Sequence, residues 1–377
     1  MAGLKIGVVV PLSGEFAPMG RQVVEAARLG AERFGLELVV RDSQGQPEDA
    51  VRAVSELGAD PSIVAILGPI GRRESQAAAS VAHRLALPLL TLSSVEQVNL
   101  IGPTIFRLRL SPGEQARTIA QAASERLKLS RAAVMFVDNE YGNAAALAFV
   151  QEFTTRGGTV VAVAAYDEST TNFARALDVL TGKSVFLGRS QMLGKRRADA
   201  NGYLSIRREA VIDFDAIFIP DFHQRVARIL SFLPEAGLQT GDGGEGVGVQ
   251  LLGLAGWQGK SMELTGGLAA GAIYTDVFVG AEEGGSAEAF GRYFEGRTGR
   301  AAVDLDAEVY DALTMVGALL SDTAHDGTAR ARLVARLGSE RNWKGVCGAL
   351  SFGSRGEPLR PVRLFRFDVG GTVVPLF

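Results

Sequence analysis

The sequence is short of the side chains that do most covalent and metal chemistry. Among 377 residues there are one Cys and three His. A lone cysteine, Cys347, excludes an intrachain disulfide. His83, His223 and His325 stand far apart and in no metal-ligand spacing, so no metal site is expected. No apolar run reaches the roughly 20 residues that a spanning helix needs. A net charge of -3 provides no broad attraction for nucleic acid or an acidic membrane surface, so neither is expected as a partner. Catalytic signatures are also missing. Gly188-Arg-Ser190 is half of a nucleophile elbow with no strand leading into it. Gly241–Gly248 is rich in glycine, but it lacks the Lys-Ser/Thr of a phosphate loop and precedes a strand rather than a helix. No catalytic constellation and no cofactor motif is found, so the chain is read as a non-enzyme.

What the sequence has is ordinary globular composition, 47% apolar and 21% charged, and length enough for two cores. Short runs of Val, Ile and Leu alternate with amphipathic runs. Lys5–Val10, Glu37–Arg41, Ile63–Leu67, Pro88–Leu92 and Thr104–Arg107 read as strands. Gly20–Phe34, Pro47–Leu57 and Arg72–Leu85 between them read as helices. Strands alternating with helices predict a parallel sheet covered on both faces. The pattern restarts at Ser111-Pro-Gly-Glu114, which has capping-box spacing with Pro at the first helical position. There follow strand Ala132–Val137, helix Tyr141–Arg156, strand Thr159–Ala165, helix Asn172–Leu180, strand Asp215–Ile219, a helix over about 224–235 and strand Val249–Gly253. The last third predicts one strand, three helices and terminal strands. Lys183–Arg208 is strongly basic and breaks the rhythm. It reads as a surface insertion, either a solvated loop or a contact for an acidic partner or lipid headgroups. No basic or apolar leader precedes Leu4, which leaves open a cytoplasmic chain or an exported one whose leader is not in this sequence.

Small-residue loops follow the strands at Pro11–Phe16, Gly68–Arg73, Ser93–Glu96, Asp138–Gly142 and Pro220–His223. In an open α/β sheet the carboxyl edge is where ligands bind, and free backbone N–H groups at helix starts suit an anion.

IGVVVPLSGEFAPMG, VVRDSQGQPEDAVRAVSEL, AILGPIGRRESQAAASVA, LPLLTLSS, IFRLRLSPGEQA, AAVMFVDNEYGNAAALAFVQEFTTRGGTVV, FDAIFIP and VYDAL, in this order, resemble the type 1 periplasmic solute-binding proteins. The nearest branch is the leucine/isoleucine/valine-binding type that serves ABC transporters. The resemblance implies two Rossmann-like lobes joined by three crossover strands, with the solute held between them by hinge closure. It places residues 1–111 and 277–347 in one lobe and 112–276 and 348–377 in the other. It implies a periplasmic or lipid-anchored location, a small-molecule solute such as an amino acid or organic acid, and a membrane permease as partner. FDAIFIPDFHQRVARILSFLPEAG, LLGLAGW and PVRLFRFDVGGTVV are also similar to lipoproteins that activate penicillin-binding proteins, which would make the partner a cell-wall synthase.

The resemblance implies ligand contacts from Gly71, Arg72, Ser94 and Glu96 in the first lobe, and Ser13, Phe16 and Ser93 of the strand-end loops are expected beside them. Tyr141, Asp221 and Trp257 are the expected contacts in the second. Arg72 and Glu96 are charged where the family is small. They are expected either to pair with each other, to point to solvent, or, for Arg72, to grip an acidic ligand. The acidic residue that takes a ligand ammonium in the family has Ala255 or a neighbour at its place.

Overall fold

The computed structural model describes residues 4–187, 197–198, 204–207, 210–240, 247–265, 267–280, 285–321 and 328–376. The chain forms two compact units, residues 1–111 with 277–361 and residues 112–276 with 362–377. It passes from one to the other three times, after Ser111, Asp276 and Pro361.

Unit 1 is built on five parallel strands in the order Glu37–Asp42, Lys5–Val10, Ile63–Leu67, Leu89–Thr91, Ile105–Arg107. Ile63–Leu67 is buried along its whole length, which is why it reads as an unbroken apolar run. Right-handed crossovers in this order put helix Ala17–Glu32 on one face and helices Pro47–Ala59 and Arg72–Arg84 on the other. Pro47–Ala59 starts with Pro at its first turn followed by Glu48 and Asp49, which suit the helix dipole. Its Ala50, Ala53, Val54 and Leu57 form the buried stripe.

Helix Asp304–Leu320 packs against Ala17–Glu32, with Gly30 set against Leu313 and the Tyr310 backbone. It is buried on nearly every side, so each of its inner carboxylates needs a partner. Asp306 pairs with Arg300 at 2.7 Å. Glu308 lies between Arg109 at 2.9 Å and Arg360 at 3.2 Å. Asp311 accepts the backbone N–H groups of Val346 and Cys347.

Unit 2 carries a seven-stranded sheet in the order Val373–Pro375, Arg363–Phe367, Ile273–Asp276, Gln250–Gly253, Ala216–Phe218, Arg131–Val137, Thr159–Tyr166. Arg363–Phe367 is added antiparallel to a set of five parallel strands, and Val373–Pro375 pairs antiparallel with it in turn. Helices Pro112–Glu125 and Glu140–Thr155 meet through alanines, among them Ala116, Ala120, Ala123, Ala145 and Ala148, over a core that includes Phe149 stacked on Phe218 at 4.3 Å. Each buried Phe contributes about 2–3 kcal/mol of apolar burial.

One device recurs in both units. The helix after the first strand brings a glycine onto the carbonyl at that strand's end. A Cβ at Gly20 would lie 1.7 Å from the Pro11 oxygen, and one at Gly142 would lie 2.0 Å from the Val137 oxygen. Close helix–strand packing of this kind requires the missing side chain.

The structure departs from the expectations at several places. Residues 348–361 belong to unit 1, not to the second lobe, because strand Gly348–Phe352 pairs with Trp343–Gly345 and with Pro358–Leu359. The single helix expected over 224–235 is two, His223–Leu230 and Leu233–Ala236, with Pro234 in the first turn of the second. In the basic insertion, Ser184–Leu187, Arg197–Ala198 and Leu204–Arg207 form a small antiparallel sheet. Lys183 turns inward and donates to the Glu235 and Ala236 carbonyls at the end of a helix. The remaining basic side chains of the insertion, the Gly188–Ser190 stretch, His325 and residues 241–246 lie outside the described residues.

Candidate functional site

In unit 1 the strand order reverses between Lys5–Val10 and Ile63–Leu67, and the loops that leave these two strands flank the crevice such a reversal creates. The first loop, Pro11–Phe16, is held by Asp42. Its Oδ1 accepts the N–H groups of Leu12 and Gln44, both at 2.7 Å, and Ser13 lies close to the same carboxylate. Partial burial acts to raise this carboxyl, and the hydrogen bonds from Leu12, Gln44 and Ser13 outweigh it, so Asp42 titrates below the usual aspartate range. Ser13 itself is exposed. Phe16, at the start of the helix, leaves 56% of its surface to solvent.

The second loop passes through a cis Gly68–Pro69 bond to Gly71. Buried Glu74 accepts the Gly71 N–H at 2.7 Å with one oxygen and the Ser43 hydroxyl at 2.6 Å with the other. This carboxylate locks the loop after the second strand to the start of the third helix. Sequence reasoning missed Asp42, Ser43 and Glu74 as positioning groups. Gly71-x-x-Glu74 does carry the N-cap to N3 spacing of a capping box, and that was the available signal. Arg72 opens the helix and is exposed. Ser93 is buried, Ser94 half-buried and Glu96 exposed, with Glu96 accepting the Ser111 hydroxyl at 2.5 Å.

In unit 2 the reversal falls between Arg131–Val137 and Ala216–Phe218. Asn139 caps the helix after the first strand by accepting from Gly142 N–H at 2.9 Å, which sets Tyr141 in the first turn. From the loop after the second strand, Phe222 stacks on Tyr141 with ring centroids 5.1 Å apart, and 47% of Phe222 stays open to solvent. Two adjacent loops thus join in one aromatic platform. Gly256 makes room for it, since a Cβ there would touch both the Asp221 carbonyl and the Phe222 ring at 3.1 Å.

Asp221 is fully buried beneath this platform. Its Oδ2 accepts the Tyr166 hydroxyl and Arg225 Nε, both at 2.7 Å, and its Oδ1 accepts the Phe222 N–H at 2.7 Å and Arg225 Nη2 at 3.0 Å. Burial, and then the Asp221 charge, push the Tyr166 phenol far up. The hydrogen bond to Asp221 raises Arg225 in turn. Asp221 is therefore a positioning group for Phe222, with no oxygen left over. Trp257, also named from the sequence, is fully buried, donates its indole N–H to the Ile219 carbonyl at 2.9 Å, and packs its ring on Gly253. It belongs to the core of unit 2. The neighbouring His223 is half-buried, and burial lowers its pKa against the opposing pull of Glu263. Phe222 was not singled out from the sequence, although its loop was, because its stacking partner lies some 80 residues away.

These edges offer hydroxyls, backbone N–H groups and an aromatic face. Among the described residues no group of three or more His, Cys, Asp or Glu side chains could hold a metal ion. No described helix is long and apolar enough to cross a membrane.

The fold so defined is that of the type 1 periplasmic binding proteins, two Rossmann-like α/β units on one chain. Residues 3–185 match the model of the family described as periplasmic binding protein. An ABC transporter substrate-binding protein from Sphaerobacter thermophilus shares the fold with a TM-score of 0.80 at 19% identity, over 99% of this chain and 96% of that one. The leucine binding protein LivK from Thermotoga maritima does so with 0.73 at 20% identity, over 99% and 98%. A solute binding protein of an ABC transporter from R. palustris, in complex with benzoate, does so with 0.74 at 17% identity, over 100% and 96%. No curated protein matches the sequence significantly.

Proposed function

We propose that this protein is an extracytoplasmic solute-binding protein of an ABC transporter, which takes up a small polar or anionic solute and presents it to a membrane permease. The observation that carries this reading is the partly exposed Tyr141–Phe222 stack at the strand reversal of unit 2, on a fold shared end to end with solute-binding proteins. A flat apolar face at that position suits the body of a small organic solute. Gly71, Arg72, Ser93, Ser94 and Glu96, with Phe16 and the Pro11–Ser13 backbone, are the proposed contacts of unit 1. Tyr141 and Phe222 are those of unit 2, with Asp221 and Trp257 supporting them from below.

The state of Asp221 favours one solute class over another. A ligand ammonium at this edge would have to displace Arg225 from a carboxylate that already accepts four hydrogen bonds. An organic acid asks for no such exchange, and exposed Arg72 suits its carboxylate. The reading is tested by a thermal-shift screen of aliphatic and aromatic carboxylates beside the amino acids. A solute at 100 times its Kd stabilises by about 2.7 kcal/mol. Phe222→Ala is expected to weaken a carboxylate hit about tenfold, the effect of losing roughly 1–1.5 kcal/mol of aromatic contact. A screen in which no small solute moves the transition would remove the proposal. A hit whose affinity ignores Phe222→Ala would remove the platform from the site.

A further inference from the structure

We infer that unit 1 carries a second small-molecule site, for an aromatic carboxylate, at the end of the unit opposite the loops described above. The site is a pocket of about 630 Å³ whose wall includes Arg33, Ser286, Ala289, Phe290, Tyr293 and Tyr310. This volume lies in the usual range for small-ligand pockets. Helix Ala17–Glu32 begins at the carboxyl edge of the sheet and runs back along it, so Arg33 at its far end is about 24 Å from that edge at 1.5 Å of rise per residue.

The chemistry of the wall selects the ligand. Phe290 packs on Tyr310 with centroids 4.7 Å apart, and Tyr293 stands 6.4 Å from Tyr310 with 39% of its surface open. Three rings on two helices thus line one concave surface, which suits a flat aromatic body. Two adjacent charges at the rim have different fates. Glu32 is taken by Arg297 at 2.9 Å, and that guanidinium lies over the Tyr293 ring. Arg33 has no carboxylate partner among the described residues. It donates only to the Tyr310 hydroxyl, at 3.4 Å. An unspent guanidinium beside three aromatic rings recognises a carboxylate attached to an aromatic system, and Ser286 at the rim adds a hydroxyl donor. The inference is independent of what binds at the carboxyl edges of the two sheets.

The test is a fluorescence and calorimetric titration of the intact protein with 2-naphthoate, and with 2-naphthamide as the uncharged isostere. Saturable binding of 2-naphthoate is expected, at least tenfold tighter than that of the amide. Arg33→Gln should weaken the acid at least tenfold and leave the amide unchanged. Ala289→Trp, which fills the pocket from an exposed position, should abolish binding of both. The titrations are repeated in a Phe222→Ala background, which weakens any naphthoate held at the unit 2 platform, and the Arg33 and Ala289 effects should be the same there. Both pocket substitutions are at exposed positions, and thermal transitions matching the parent would show the fold intact. Absence of saturable naphthoate binding overturns the inference. So does binding that survives Ala289→Trp in the Phe222→Ala background, or an Arg33 effect that is lost there, since either puts the ligand elsewhere. Equal affinity for acid and amide overturns the assigned role of Arg33.

Discussion

Replacement of Asp221 by Ala removes one carboxylate and strands four donors on three groups, and the cost can be worked from their surroundings. The Tyr166 hydroxyl is buried and loses its acceptor, which costs about 1–3 kcal/mol. The Phe222 N–H sits beside an exposed ring and rehydrates more cheaply. Arg225 keeps 28% of its side chain in solvent, so the roughly 3–5 kcal/mol for breaking a wholly buried pair is an upper bound. The expected loss is about 2–4 kcal/mol for Asp221→Ala and about 1 kcal/mol for Tyr166→Phe, which removes one neutral donor. The chain offers its own reporter. It has two tryptophans, and Trp257 is buried with its indole bonded to Ile219, two residues from Asp221. Urea unfolding followed by Trp257 emission in a Trp343→Phe background therefore reads unit 2. An Asp221→Ala transition within about 0.5 kcal/mol of its parent would refute the reasoning, since an orphaned buried hydroxyl alone exceeds that. A Tyr166→Phe loss equal to the Asp221→Ala loss would refute the assigned role of Arg225.

Three further outcomes are expected. Gly20→Ala and Gly142→Ala should each destabilise by roughly 2–3 kcal/mol, as overpacking against a backbone carbonyl does, measured by denaturant unfolding; a neutral Gly20→Ala would mean that the helix can move away from Pro11 freely. Asp42 titrates lower when folded than unfolded, so its contribution is present above about pH 4 and is lost as the pH falls through its depressed folded value. Asp42→Asn should accordingly flatten the acid limb of a stability–pH profile, and an unchanged limb would count against the Leu12–Gln44 latch. Cys347 is fully buried and its thiol is pushed well up by that burial, then by Asp311, so it should resist thiol reagents at pH 8 until the chain is unfolded; rapid stoichiometric labelling of the folded protein would contradict the packing of strand Gly348–Phe352 and its neighbours.

The sequence by itself determined the class of fold and the ends of most elements. Period-two and period-3.6 patterns are local, and so are Pro47 with Glu48 and Asp49, Asn139 three residues before Gly142, and the loops that follow each strand. Tertiary structure alone decided which polar side chains remain available. Tyr166 closes Asp221 from 55 residues away, and Arg109 meets Glu308 across 199. Ser43 reaches Glu74 across 31 residues, and Tyr310 reaches Arg33 across 277. A carboxylate written in a loop after a strand looks the same in the sequence whether it faces a solute or a buried arginine. The difference lies in burial, which obliges every charge to find a partner wherever the folded chain provides one. For the same reason Trp257 went to the core, where Gly253 leaves space for its ring, and Phe222, one residue beyond a closed carboxylate, came to the surface.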